Sequence, residues 1–208
     1  MTGYGTVDVT DGRQVREYER HFYRAYARLA DNKLVRLIWE WDDARQRVRT
    51  KIAYADQVIY SARDQGGRLA VAMAVNVRYP AEFQAAAFGF TRPDGGPGGR
   101  YCEILNVITT PHHGETARAT YRSFISGFGY GDLAAQGFEA AYSTCTRRRL
   151  RPYQLLGAQL LAQTSIAGEE RFFLRWPLRD PCEVGGPQSS QDEMGGPQSS
   201  NPAARPRS

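Results

Sequence analysis

Residues 100–114 read RYCEILNVITTPHHG. The first part, 100–110, is a long run of β-formers that is apolar on both faces in its middle. That pattern marks a strand central in its sheet rather than at an edge. Pro111, His112, His113 and Gly114 then break the run, and a helix is expected from about 115 to 128. A strand that passes through a loop into a helix presents unpaired backbone N–H groups and the positive end of a dipole. That geometry binds phosphate without needing a particular side chain.

Downstream, 129–137 loops back, 138–145 (FEAAYSTC) is a strand, 147–163 a helix and 170–176 (ERFFLRW) a last strand. Upstream, 57–62 (QVIYSA) and 68–77 (RLAVAMAVNV) form a hairpin about the turn 64–67 (DQGG). Residues 80–88 read as a helix opened by proline and closed by Gly89, and 94–99 (DGGPGG) as a loop. The span 13–30 is an amphipathic helix, with Val15, Tyr18, Phe22, Tyr26 and Leu29 at steps of three and four. Residues 3–10 fit a short first strand, and 34–42 (LVRLIWEWD) fits either a helix or a strand. Strands that alternate with helices late in the chain imply an α/β domain. The sheet is mixed and mostly antiparallel, with a parallel splay near 100–145 and flanking helices.

One such domain over 1–180 suits the length. After residue 180 the hexapeptide GGPQSS occurs at 185–190 and again at 195–200. A segment without apolar side chains cannot offset its ordering entropy, so 181–208 reads as a disordered tail. No apolar run approaches the ~20 residues of a membrane span, and 1–11 lacks the pattern of a secretory signal. Cys102, Cys145 and Cys182 show no CxxC spacing, which argues against a disulfide framework and a zinc site and for a reducing cytoplasm. The net charge of +5 suits phosphate-bearing partners. The arginines are dispersed and no nucleic-acid-binding pattern occurs, so neither a nucleic acid nor a membrane is expected as partner.

The block 100–157 resembles the GNAT superfamily of acyl-CoA-dependent N-acyltransferases. Their signature, Arg/Gln-x-x-Gly-x-Gly/Ala, aligns with 112–118 (HHGETAR): Gly114 fits, Thr116 stands where glycine is usual, and Arg118 where a small residue is usual. Tyr153 followed by Gly157 is similar to the family's fourth helix. Trp39-Glu40-Trp41-Asp42-Asp43 and Glu103-Ile104-Leu105-Asn106 look like features of acyl-homoserine-lactone and N-acyl amino acid synthases within the same fold, with Asn106 in place of an arginine.

The resemblance implies direct transfer of an acyl group from acyl-CoA or acyl-ACP to a small amine or amino acid, with no metal. It puts Glu103 as base and Tyr153 as acid on the leaving sulfur. Backbone N–H groups of Asn106, Val107 and Ile108 would polarise the carbonyl, and His113, Gly114, Thr116, Ala117 and Arg118 would hold the donor's phosphates. Trp39, Glu40, Asp42 and Phe83 would meet the substrate. It leaves room for an acyl carrier protein as partner, for a homodimer, and for a non-catalytic ligand-binding module on the same fold.

Each residue also has a plainer role. Glu103 could pair with an arginine, Tyr153 could be core, and Glu40, Asp42 and Asp43 could form a solvated turn. Trp39, Trp41 and Phe83 could be core, Arg147–Arg149 and Arg151 a solvated helix start, and Cys145 a buried small residue. His112 and His113 lack a third metal ligand. His21 reads as a surface helix residue.

Overall fold

The computed structural model describes residues 3–29, 33–79, 81–91, 93, 99–109 and 123–178. Strand β1 (Gly3–Thr6) leads into helix α1 (Gly12–Tyr26), whose first turn is capped by Asp11 accepting from the Arg13 amide at 2.7 Å. The ambiguous span 34–42 divides in two. Its first half is helix α2 (Lys33–Ile38), and its second is strand β2 (Trp39–Asp42), which pairs with β3 (Arg47–Thr50) in a separate two-stranded ribbon. The alternation in WEWD carries that strand, and the following turn supplies its return.

The main sheet has seven strands in the order β1-β4-β5-β6-β7-β9-β8. Its further members are β4 (Gln57–Arg63), β5 (Leu69–Asn76), β6 (Arg100–Thr109), β7 (Phe138–Thr146), β8 (Gln159–Ile166) and β9 (Glu169–Pro177). All neighbours are antiparallel except β6 and β7. The sheet is therefore mixed, mostly antiparallel and flanked by helices, with β6 central.

One face is covered by α1, α2, the β2–β3 ribbon and a 3₁₀ turn, Gln84–Phe88; Tyr18, Phe22, Ile38, Phe88, Ile108 and Phe173 pack there. The other is covered by a π-helical turn, Ser123–Gly129, that runs into α3 (Tyr130–Ala135), and by α4 (Arg147–Gln154). Phe124, Leu133, Met73, Cys102 and Leu174 fill that side. Gly129 is required by contact, because a Cβ there would lie 2.5 Å from the Met73 methyl.

Four sequence expectations change. The span 129–137 is mostly helix rather than loop. The 80–88 helix is reduced to the Gln84–Phe88 turn, closed by Gly89 at φ +77. The 147–163 helix stops at Gln154, and its second half becomes β8. Gly157, at φ +98, ends that helix in the left-handed region, where glycine carries no Cβ penalty. His21 is buried rather than on the surface, and burial pushes its imidazole down to about 4.

Candidate active site

Strands β6 and β7 pair only from Arg100↔Phe138 to Glu103↔Tyr142. Both continue, to Thr109 and Thr146, so beyond Glu103 they part. The cause lies in β6. Against β5, Ala74 faces Asn106 while Val75 faces Ile104, which leaves Leu105 as a bulge. An added residue bends its strand and turns it from its neighbour.

Side chains take over the acceptors that β7 leaves. The Tyr26 hydroxyl donates to the Val107 carbonyl at 3.1 Å, and Gln84 Nε2 donates to the Leu105 carbonyl at 3.1 Å. In an extended residue N–H and C=O lie on the same side. The Val107 amide therefore faces the opening along with its carbonyl, whereas alternation turns the Asn106 and Ile108 amides toward β5.

The parted strands bound a cleft of about 500 Å³. Val35, Ile38, Trp39 and Phe88 line it from the α1 face; Ile125, Tyr130, Tyr153 and Trp176 line it from the other. It is thus an opening through the sheet, mainly apolar, with the guanidinium-bearing Arg148, Arg149 and Arg171 in its wall. Tyr153 packs edge-on to Trp176, with centroids 5.3 Å apart, and Trp176 Nε1 donates to Ser143 Oγ on the open half of β7 at 2.8 Å. Burial, then the neighbouring Tyr153, pushes the Tyr26 hydroxyl well above the usual phenol range. Tyr26 comes from one face and Tyr153 from the other, and they meet where the sheet is open.

The remaining sequence candidates fall in several places. Trp39 lines the cleft. Glu103 does not: its Oε2 accepts from the Gln84 amide at 2.8 Å and its Oε1 from the Ala85 amide at 2.9 Å, so the carboxylate caps the Gln84–Phe88 turn. Burial pushes its carboxyl up to about 7, with these two amides and the Asn76 side chain pulling the other way. Its partners are two backbone amides and the Asn76 side chain, not an arginine. The Asn106 side chain is held by Tyr18, Nδ2 lying 2.9 Å from the hydroxyl, and Ile108 is core.

Glu40 is salt-bridged to Arg49, Asp42 to Arg45 at 3.0 Å, and Asp43 to Arg36 at 2.9 Å, all outside the cleft lining. Phe83 packs on Tyr79 and Phe173. Cys145 lines the cleft, but burial pushes its thiol up to about 11, which disfavours the thiolate. Arg147 pairs with Glu170. His112, His113, Gly114, Thr116, Ala117 and Arg118 lie outside the described residues.

The sequence reading missed Tyr26, Gln84, Phe88 and Arg171 as cleft residues. For Arg171 a signal existed. In the β9 strand, period two sets Arg171 on the same face as Phe173, which is a core position.

No protein-family model matches the chain, and no curated protein matches it. Solved structures share its fold at low identity. BjaI, a CoA-dependent acyl-homoserine lactone synthase with SAM and isopentyl-CoA, gives a TM-score of 0.64 at 12% identity, covering 86% of this chain and 83% of that one. The ribosomal-protein-S18-alanine N-acetyltransferase from Escherichia coli gives 0.54 at 11%, over 86% and 94%. A GNAT-family acetyltransferase from Desulfovibrio desulfuricans gives 0.52 at 12%, over 86% and 100%. The chain has the GNAT fold. Among the described residues no helix is long and apolar enough to cross a membrane.

Proposed function

We propose that this chain transfers an acyl group from an acyl thioester, acyl-CoA, to an amine. The observation that carries the reading is the opening through the sheet beyond Glu103, with the Val107 amide on its edge and Tyr153 in its wall. A thioester arm entering from the α4 face would place its carbonyl beside that amide, which polarises it. An amine entering from the α1 face attacks the carbonyl carbon; the C–S bond breaks, and the thiolate takes a proton from Tyr153. The proton lost by the amine passes through water to the Tyr153 oxygen, which restores the phenol and balances the protons. Residues 110–122 follow directly on the open end of β6, and His113, Gly114, Thr116, Ala117 and Arg118 are the candidates to hold the donor's phosphates. Glu103 acts as a positioning residue, fixing the turn that carries Gln84 and Phe88 into the cleft wall.

A second reading, a homoserine-lactone-type synthase, is favoured by shape, since BjaI superposes with a higher TM-score than the two acetyltransferases. A thiol-release assay separates the two when it screens acetyl-CoA, longer acyl-CoAs and acyl-ACP against simple amines and against S-adenosylmethionine. Release with acyl-CoA and an amine, lowered about 10²-fold by Tyr153→Phe, is the expected result. Turnover confined to S-adenosylmethionine, which BjaI holds together with an acyl-CoA, would favour the second reading, and no release from any thioester would end both.

A further inference from the structure

Three buried side-chain polar atoms without a hydrogen-bond partner belong to residues that line the cleft: Trp39 Nε1, Gln84 Oε1 and Arg171 Nε. Buried polar groups are nearly always paired, so an unpaired set gathered in one cleft points to a ligand. Two of the three atoms donate and one accepts. Trp39, Gln84 and Arg171 come from three separate elements, β2, the 3₁₀ turn and β9. Gln84 spends its Nε2 on the Leu105 carbonyl, which fixes its oxygen as the free acceptor. Arg171 reaches one carboxylate, Glu169, through Nη2 at 3.1 Å, and its guanidinium lies over the Phe88 ring at 5.2 Å. The residue is only 9% exposed. A cation held that deep with a single bonded carboxylate retains donors for a second anion.

Position decides which anion. Arg171 projects to the α1 face, toward Phe88, whereas Arg148 and Arg149 start α4 on the opposite face. With the thioester arm entering from the α4 face, as in the acyl-transfer reading, the Arg171 half of the opening is left to the acceptor. Of the other side chains there, Val35, Ile38, Trp39, Phe88 and Leu105 are apolar and suit a hydrocarbon or aromatic body, while Tyr26, Asn106 and Glu169 line the cleft beside them, with Tyr18 holding Asn106 and Arg171 holding Glu169.

We infer that the acceptor is a hydrophobic α-amino acid, its carboxylate held by Arg171, its amine by the Gln84 oxygen and its side chain by the apolar wall. This rests on the acyl-transfer reading and narrows it to one substrate class. A buried guanidinium meets a carboxylate in a charge-assisted bond, while an amine without the carboxylate leaves the guanidinium donors unused. A site built to hydrogen-bond a group rejects the analogue that lacks it far more strongly than an apolar pocket rejects a missing methylene.

The test compares L-phenylalanine with 2-phenylethylamine, and L-leucine with isopentylamine, by titration calorimetry on the full chain and by thiol release with acetyl-CoA. In the wild type each amino acid should bind at least tenfold tighter than its decarboxylated partner. Arg171→Gln should bring the two within twofold, leave affinity for CoA unchanged and raise KM for the amino acid more than it lowers kcat. Arg171→Lys should keep part of the preference. Equal binding of acid and amine by the wild type overturns the inference without any variant, and so does a loss of CoA affinity in Arg171→Gln. Amino-acid binding through Arg171 without thiol release from any donor would sink acyl transfer and leave the carboxylate site standing. Thiol release with amines alone would do the reverse.

Discussion

From Arg100 to Glu103, β6 pairs with β7, and at Glu103 it has β5 on its other edge as well; from Ile104 onward it keeps only β5. In the half that β7 pairs, β6 lends a side chain to backbone elsewhere: Glu103 caps the Gln84–Phe88 turn. In the open half the roles reverse, and Tyr26 and Gln84 donate to backbone carbonyls that have lost their strand. A central strand can leave its neighbour only if other groups take its acceptors, since an unpaired buried carbonyl costs about as much as a lost hydrogen bond. The donors are treated differently from the acceptors: the two carbonyls are capped by side chains, and the Val107 amide is left facing the cleft.

The largest effect is expected in the paired half. Glu103→Ala strands the Gln84 and Ala85 amides and should cost about 3 kcal/mol at pH 5, read by urea unfolding. The gap should shrink with pH. The folded carboxyl titrates at about 7, above a free glutamate, so between roughly 4.5 and 7 the folded chain binds more protons than the unfolded one. Wild-type stability then falls relative to the variant across that window, by up to about 3 kcal/mol. A gap that widens with pH would show that the carboxylate is stabilised in place. Glu103→Gln keeps an acceptor for one amide, and its rate per folded molecule should stay within about threefold of wild type, with the same pH profile. A collapse in rate, or loss of a step near pH 7, would restore Glu103 as a base.

In the open half, Tyr26→Phe removes the donor on the Val107 carbonyl. The expected loss of stability is about 1–2 kcal/mol, smaller than at Glu103, because water in the cleft can partly replace the hydroxyl. Thiol release should fall more than stability does, since the Val107 amide moves with its carbonyl. If activity is untouched while stability drops, the edge of β6 takes no part in polarising the thioester.

Much of this layout could be read in the residues. The run 100–110, the hairpin at 57–77 and the Tyr18–Phe22–Tyr26 stripe gave their elements because period and turn chemistry agreed in each. The splay near 100–145 was legible, but not its start beyond Glu103, because a bulge has no mark in a strand of β-formers: Leu105 looks like its neighbours. Glu103 and Tyr153 could be picked out as residues but not their surroundings, since the amides that hold Glu103 lie 18 and 19 residues away. The span 147–163 misled for another reason. Leucine, alanine and glutamine favour helix locally, and only pairing with β9 makes 159–166 a strand.

That second half of the span supplies the smallest effect and a control for the comparison. Gly157 sits at φ +98 just after α4, which carries Tyr153 against the open strands, and Gly67 sits at φ +73 in the β4–β5 turn, away from the cleft lining. An alanine pays a similar left-handed penalty at either place, about 1 kcal/mol, or a drop of about 2–4 °C in Tm. Equal losses of stability should therefore part company in activity. Gly157→Ala shifts the end of the helix that holds Tyr153 and should slow thiol release several-fold, while Gly67→Ala should leave it alone. If the two variants slow equally, the rate follows global stability, and the open half of the sheet has no special claim on the chemistry.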